Sequence, residues 1–353
     1  MAQRVGIVGA SGYGGAELVR LLDGHPDLGL EVVAAHQQAG SPIASLYPNL
    51  PGERLFDEVD LGSLIGLDLV FLATPHGPSL QLGTALRKAG TRVVDLSGAF
   101  RLSAQDFSQW YGEEHPAPEL TPDPDGTAEA GDDAAARAVY GLPELYRDQI
   151  AGAGFVANPG CYPTAALLAL APVTELLEPG TVVIDGKSGT SGAGRGVADR
   201  LHFSHVHGDL TAYGAPTHRH TGEIETWLPG GLGAVSFTPH LIPMSRGLFV
   251  TAYANVRAGT RASDVTAAVR DTYEHEPFVH VLGDDAGFPH TKALAGSNGV
   301  HVTATLDERV GRVLATCAID NLGKGAAGQA LQNANLMLGL PEATALSAIG
   351  VYP

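Results

Sequence analysis

The residues best placed to do chemistry are one cysteine and two histidines. Cys161 stands in Asn158-Pro159-Gly160-Cys161-Tyr162-Pro163-Thr164. Pro163 suits the first turn of a helix, where its missing N–H costs nothing. That reading puts Cys161 at a helix N-terminus, whose partial positive charge favours a thiolate. A thiolate there is a candidate nucleophile; a small buried cysteine is the alternative. Cys317 fits the alternative, because it lies inside the apolar run Val313 to Ile319.

The segment Thr217-His218-Arg219-His220-Thr221-Gly222-Glu223-Ile224-Glu225 gathers two imidazoles, a guanidinium and two carboxylates. An imidazole titrates near neutrality and exchanges protons with a thiolate or a developing alkoxide. Thr221 is expected to cap a helix running into Trp227, with Glu223 and Glu225 near its start. His218 and His220 are two apart with no third ligand at zinc spacing, so no metal is expected there. His202, His205 and His207 leave a metal-binding loop as a rival reading. His25, His115 and His275 read as surface residues.

A third element is the glycine turn Gly9-Ala10-Ser11-Gly12-Tyr13-Gly14-Gly15. Backbone without Cβ atoms lets a pyrophosphate approach, and a helix N-terminus favours an anion. The spacing Gly9-x-x-Gly12-x-x-Gly15 departs from the usual G-x-G-x-x-G, but it sits between a strand-like run and a helical one, as the motif requires. Gly9, Ser11, Gly12, Tyr13 and Gly14 are therefore candidate cofactor contacts. An NAD site places a carboxylate near the end of the second strand. Here that strand ends Ala34-Ala35-His36-Gln37-Gln38, so nothing repels a 2′-phosphate and NADP(H) is the expected cofactor. No arginine stands there to grip the phosphate either.

The elements that must position these groups follow two rhythms. Arg4–Gly9, Leu30–Ala35, Asp68–Ala73 and Arg92–Leu96 are short apolar runs, and Tyr13–Leu22 and Ser79–Lys88 are helical. Their alternation predicts parallel βαβ units. Beyond Phe155–Ala157 a helix is expected over Pro163–Leu177, then strands over Val182–Asp185, Ala234–Pro239, Leu248–Val256, Val300–Leu306 and Val313–Ile319. Strands without regular intervening helices predict a mixed or antiparallel sheet in an α+β domain. The boundary is expected near Asn158, and a final helix over Gly325–Gly339. Residues Pro116 to Arg137, acidic and nearly free of large apolar side chains, read as a surface excursion.

Composition narrows the function. A chain of 353 residues suggests two domains, and 44% hydrophobic against 17% charged residues excludes a disordered chain. A net charge of -17 argues against nucleic acid and against an anionic membrane as partners. Two cysteines form no disulfide framework, and the apolar runs are too short for a signal peptide or a membrane helix. A reducing cytoplasm is the expected setting.

A cysteine at a helix start, imidazoles and a nucleotide fold together suggest reduction of an acyl thioester. The sequence here resembles the N-acetyl-gamma-glutamyl-phosphate reductases of the aspartate-semialdehyde dehydrogenase group, nearly end to end apart from the acidic insertion. The matching blocks are Gly9–Gly15, Asp95–Arg101, Tyr140–Glu144, Asn158–Thr164, Ser188–Arg195, His218–Thr221, Ile242–Gly247 and Asp320–Gly325. Gly222 stands where that family commonly has proline.

The resemblance implies an α/β fold with a Rossmann NADP-binding domain. To this it adds an α+β catalytic domain of the aspartate-semialdehyde and glyceraldehyde-3-phosphate dehydrogenase type. It places 1–158 and 321–353 in the first domain and 159–320 in the second. It implies Cys161 as nucleophile, His218 as acid/base, and His220 with Glu223 as a supporting pair. Ser188, Arg101, Arg195 and Arg246 become candidates for substrate, Asn321 for orienting the nicotinamide, and a homo-oligomer, dimer or tetramer, is expected. The implied reaction is NADPH-dependent reduction of N-acetyl-glutamyl phosphate in arginine synthesis. Rival readings are the matching reductase of lysine synthesis, acting on N-acetyl-aminoadipyl phosphate, and a non-catalytic NADP-binding protein.

Overall fold

The computed structural model describes residues 2–124, 136–283 and 287–352. The chain forms two compact units: Met1–Gly160 with Ala326–Leu346, and Cys161–Gly325 with Ser347–Pro353.

The first unit runs β1 (Gln3–Val8), α1 (Tyr13–Leu22), β2 (Leu28–Ala34), the single turns α2 (Ile43–Leu46) and α3 (Leu61–Leu64), β3 (Leu69–Leu72), α4 (His76–Lys88), β4 (Arg92–Asp95), α5 (Ala104–Tyr111), β5 (Val139–Tyr140), α6 (Pro143–Ile150) and β6 (Phe155–Ala157). Its sheet has the order β2-β1-β3-β4-β6-β5, with every pair parallel. All of β3 and β6 is buried, which explains the unbroken apolar runs: both faces of these strands are covered. The last helix, Gly328–Met337, returns to this unit and buries Ala330, Leu331, Ala334 and Met337 against Val5, Ile7 and Leu18. Each leucine removed from water in this way contributes about 1.5–3 kcal/mol.

The same helix buries amides, two of which tie it to distant parts of this unit. Asn333 Nδ2 donates to the Gly141 carbonyl at 2.8 Å and to Asn158 Oδ1 at 3.0 Å. Asn335 Oδ1 meets His25 Nε2 at 3.0 Å. His25, expected at the surface, is therefore buried, and its Nδ1 accepts the N–H groups of Asp27 and Leu28. His115 is a second correction. It is buried with Nε2 at 2.9 Å from the Ala99 carbonyl, and Nδ1 accepts the Ala117 N–H. Both rings serve as hydrogen-bond hubs for backbone that leaves a regular element. His275 is exposed, as read from the sequence.

The ends of the acidic excursion also differ from expectation. Ala117 and Leu120 are buried, the Ala138 N–H donates to the Leu120 carbonyl, and Arg137 donates to the Thr121 carbonyl. A few apolar side chains suffice to seat these ends in the core of the first unit. Residues 125–135 of that excursion lie outside the described residues.

The second unit runs α7 (Cys161–Leu170), β7 (Val183–Ser188), the turn α8 (Phe203–Val206), β8 (Thr211–Ala212), α9 (His220–Trp227), β9 (Ser236–Leu241), β10 (Leu248–Asn255), α10 (Ala262–Tyr273), β11 (Val279–Val281), β12 (Val300–Asp307) and β13 (Arg312–Ile319). Its sheet has the order β11-β12-β13-β10-β7-β9-β8 and is mixed, parallel only at β11–β12 and β7–β9. The strands alternate buried and half-exposed residues, so one face is covered by helices α7 and α10. Every residue of α7 after Cys161 is buried, as a helix apolar on nearly every side requires.

Three expectations need correction here. The helix after Gly160 starts at Cys161 rather than Pro163, and passes at Ala171–Leu176 into a 3₁₀ segment containing Pro172. Helix α10 separates β10 from β11, where no regular helix was expected. Only Val265, Val269 and Tyr273 are buried, a stripe too narrow among polar residues to stand out. Finally, the tail Ser347–Pro353 belongs to the second unit. The Asn298 N–H donates to the Ser347 carbonyl at 2.7 Å and the Val351 N–H to the Ala295 carbonyl at 2.9 Å. Among the described residues no helix is long and apolar enough to cross a membrane.

Candidate active site

In the first unit the glycine turn joins β1 to α1. Gly9 has φ +88°, and a Cβ there would lie 2.4 Å from the Ala73 carbonyl oxygen. A Cβ on Gly15 would lie 2.4 Å from the Gly9 oxygen and 2.6 Å from Ala10 Cα. These two glycines are demanded by packing. Gly12 and Gly14 are different. Gly12 is the helix N-cap and supplies no side-chain hydrogen bond, and the nearest atom to a Cβ on Gly14 is 3.9 Å away. No acidic residue stands in the first turn of α1. Tyr47 pins the turn by donating to the Ser11 carbonyl at 2.8 Å. A helix start without a cap side chain or an acid, faced by bare backbone, fits a pyrophosphate. The turn His36–Gln38 follows β2 and contains no carboxylate.

Arg101, a candidate for substrate, is buried in this unit. Its Nε donates to the Asn158 carbonyl at 2.8 Å and its Nη2 to the Leu96 carbonyl at 2.7 Å. It thereby fixes the chain just ahead of Cys161.

In the second unit Cys161 begins α7 and is half-buried, whereas Cys317 is fully buried in β13. Gly325 packs on the nucleophile candidate: a Cβ there would lie 2.8 Å from Cys161 Cβ. The next residue, Tyr162, lays its ring over Gly186, where a Cβ would come within 2.5 Å. Tyr162 donates its hydroxyl to the His240 carbonyl at 2.9 Å. Its ring centroid lies 6.0 Å from both His218 and His220 and 5.3 Å from Phe237. The two imidazoles are 4.8 Å apart, centroid to centroid. The Cys161 charge also acts on the Tyr162 and Tyr213 hydroxyls, so the helix start and the histidine segment share neighbours.

The two imidazoles differ in kind. His218 Nδ1 accepts the His220 backbone N–H at 3.2 Å. Burial, then the guanidiniums of Arg219 and Arg200, push the His218 pKa down to about 4. At neutral pH it is an uncharged ring, and with Nδ1 accepting, its proton sits on Nε2. The sequence reading of a near-neutral pKa does not hold for this residue. His220 opens α9 and Glu223 follows at i+3, which puts them on one helix face; Glu223 is buried. Thr221 lies inside the helix rather than capping it, because α9 already starts at His220 with Arg219 as its N-cap.

The remaining candidates line the end of the sheet. Ser188 ends β7, buried, with its hydroxyl on the Gly189 carbonyl at 3.2 Å. Arg195 is half-buried in the glycine-rich stretch that follows. Arg246 pairs with the buried Asp320 at 2.9 Å. Asn321 uses its amide inside this unit, accepting the Gly247 N–H at 2.7 Å and donating to Ser191 Oγ at 2.9 Å. No pattern in the sequence singles out Tyr162, Arg200, Tyr213, Phe237 or His240, which enter the site only through tertiary packing. His202 and His205 use their Nδ1 atoms on Ser204 and on the Asp199 carbonyl. Among the described residues no group of three His, Cys, Asp or Glu side chains is placed to hold a metal ion.

Residues 4–153 match the family described as Semialdehyde dehydrogenase, NAD binding domain, and residues 161–321 match Semialdehyde dehydrogenase, dimerisation domain. An N-acetyl-gamma-glutamyl-phosphate reductase of Thermus thermophilus is 47% identical over 99% of this chain and 100% of its own. That of Desulforamulus reducens is 45% identical over 99% of both. Among solved structures, aspartate semialdehyde dehydrogenase II of Vibrio cholerae superposes with a TM-score of 0.70 at 16% identity, covering 96% of this chain and 99% of that one. A Candida albicans aspartate semialdehyde dehydrogenase, solved with NADP, gives 0.66 at 15% identity, covering 96% of this chain and 99% of its own. These structures share the two-domain α/β fold, and the sequence relatives narrow the choice within it. A thiol at a helix start, paired imidazoles and a glycine turn accompany full-length identity above 40%. The chain belongs to the N-acetyl-gamma-glutamyl-phosphate reductase family of the semialdehyde dehydrogenases.

Proposed function

We propose that this chain reduces N-acetyl-L-glutamyl 5-phosphate to N-acetyl-L-glutamate 5-semialdehyde and phosphate with NADPH, through a thioester on Cys161. The observation that carries the reading is Cys161 at the start of α7, sharing Tyr162 with the His218–His220 pair. The setting is arginine biosynthesis in the cytoplasm. The acting form is a homo-oligomer, dimer or tetramer, built on the second unit, whose sheet leaves one face half-exposed.

The steps follow from the side chains. Cys161 Sγ attacks the acyl-phosphate carbon. The C–S bond forms, the C–O bond to phosphorus breaks, and inorganic phosphate leaves with the bonding pair. His220 takes the thiol proton, and the Glu223 carboxylate at i+3 steadies the resulting imidazolium. His218, uncharged and carrying its proton on Nε2, donates to the carbonyl oxygen as charge gathers there. NADPH, held at Gly9, Ser11, Gly12, Tyr13 and Gly14, supplies a hydride when bound. The thiohemiacetal oxyanion on Cys161, held by the His218 Nε2–H, then collapses: the C–S bond breaks, the aldehyde leaves, and the released Cys161 thiolate takes its proton back from His220.

Arg195, Arg246 and Ser188 receive the substrate's anionic groups, because a guanidinium matches carboxylate and phosphate with two hydrogen bonds. Asp320 holds Arg246 in place for that role. Arg101 acts at one remove, by fixing Asn158. Asn321, in turn, braces the Gly247 and Ser191 turns.

Cys161→Ser is the direct test. Turnover is expected to vanish while NADPH still binds with unchanged affinity, since the glycine turn is untouched. A Cys161→Ser protein that keeps its turnover would remove the nucleophile from the scheme.

A further inference from the structure

We propose that Tyr213 is a positioning residue that locks the thiol helix to the imidazole pair; this rests on the function proposed above. Tyr213 follows β8, which pairs with β9 through Thr211–Leu241 and Ala212–His240. Its own N–H donates to the Pro239 carbonyl at 3.0 Å, so the residue is tied to the sheet through its backbone. The side chain then reaches three ways. Its ring stands edge-on to His218, centroids 5.6 Å apart at 72°. Its hydroxyl donates to the Tyr162 hydroxyl at 3.4 Å, and Tyr162 donates onward to the His240 carbonyl at 2.9 Å. The Arg200 guanidinium lies over its ring at 5.5 Å.

The direction of this hydroxyl chain is fixed. A carbonyl only accepts, so Tyr162 spends its one proton on His240, and Tyr213 must be the donor to Tyr162. The chain therefore has one arrangement, which suits a part that holds others still. Tyr162 is the chain neighbour of Cys161, so what steadies its ring steadies the thiol. The next residue, Gly214, has φ +67°, and a Cβ there would lie 3.2 Å from His218 Cδ2, so the backbone closes directly on the imidazole. Burial raises the Tyr213 pKa, and the Cys161 charge raises it further, which keeps the proton on its oxygen.

Two variants and two readouts test the proposal. Tyr213→Phe keeps the ring and removes the hydroxyl; Tyr213→Ala removes both. Iodoacetamide alkylation of Cys161 at fixed pH needs no substrate, so it reports on positioning even if the substrate assignment fails. In phosphate-dependent reduction of NADP with N-acetylglutamate semialdehyde, kcat is expected to fall about 10-fold in the first variant and about 100-fold in the second, with KM within about twofold, as small misplacements of reacting groups do. Alkylation rates are expected to change in the same order. Since Tyr213→Phe is nearly isosteric, its circular dichroism and Tm should match the parent. Parent-like kcat and alkylation in a folded Tyr213→Ala protein would overturn the proposal. So would a loss confined to KM, which would make Tyr213 a substrate contact instead.

Discussion

Among single residues, the proposed scheme gives the two imidazoles separate tasks because their surroundings differ. His218 is desolvated and faces two guanidiniums, so it stays uncharged at neutral pH. His220 shares a helix face with the buried Glu223. His220→Asn is expected to lower kcat by about 10²–10⁴-fold, the range for a general base. It should also erase the acidic limb of the pH–rate profile. His218→Asn is expected to cost about 10²–10³-fold, the range for an oxyanion donor, and to leave that limb in place. A parallel set of pH–rate profiles for the two variants decides the matter: loss of the limb only in His218→Asn would reverse the roles. The motif marks both histidines as candidates, and the family resemblance implies His218 as the acid/base. The proposed scheme moves that role to His220, because the charges that lower the His218 pKa include Arg200, 18 positions away in sequence.

At the scale of elements, the glycine turn and the thiol helix were legible because local chemistry dictates them. Gly9 needs a positive φ and Gly15 an absent Cβ, and both constraints show as glycine in the sequence. Pro163 marks the first turn of α7 for the same kind of reason. The misses were tertiary. His25 and His115 are polar residues held by distant amides and carbonyls, and α10 hides its three buried residues among polar ones. The tail beyond Ser347 pairs with the segment at 295–298, which no local pattern announces.

The turn also gives a prediction. Gly15→Ala brings a methyl to 2.4 Å from the Gly9 oxygen and 2.6 Å from Ala10 Cα, both backbone atoms that cannot step aside. NADPH affinity is expected to fall at least 10-fold by fluorescence titration, with Cys161 alkylation unchanged. Undiminished NADPH binding in this variant would show that the turn does not cradle the cofactor.

At the scale of the whole molecule, several buried imidazoles make stability depend on pH. Burial lowers the pKa of His25, His115, His218 and His301 below the ordinary value of 6.5, and for His218 to about 4. Between 6.5 and about 4 the unfolded chain therefore binds protons that the folded chain refuses. Stability is complete above this window and falls as the pH drops through it. Urea midpoints measured at pH 7.5 and pH 5 should show the loss, and His218→Gln should lessen it. A midpoint that holds level or rises towards pH 5 would contradict this account of the buried histidines. The net charge of -17 also repels a polyanion such as a nucleic acid.

The proposed reaction is simplest to observe in reverse. Purified protein is given N-acetylglutamate semialdehyde, phosphate and NADP, with NAD and aminoadipate semialdehyde in parallel arms, and NADPH formation is followed by absorbance. A signal is expected that requires phosphate, NADP and the glutamyl substrate together, and that disappears in Cys161→Ser. A signal with the longer substrate alone, or none at all from folded protein that binds NADPH, would contradict the proposed reaction.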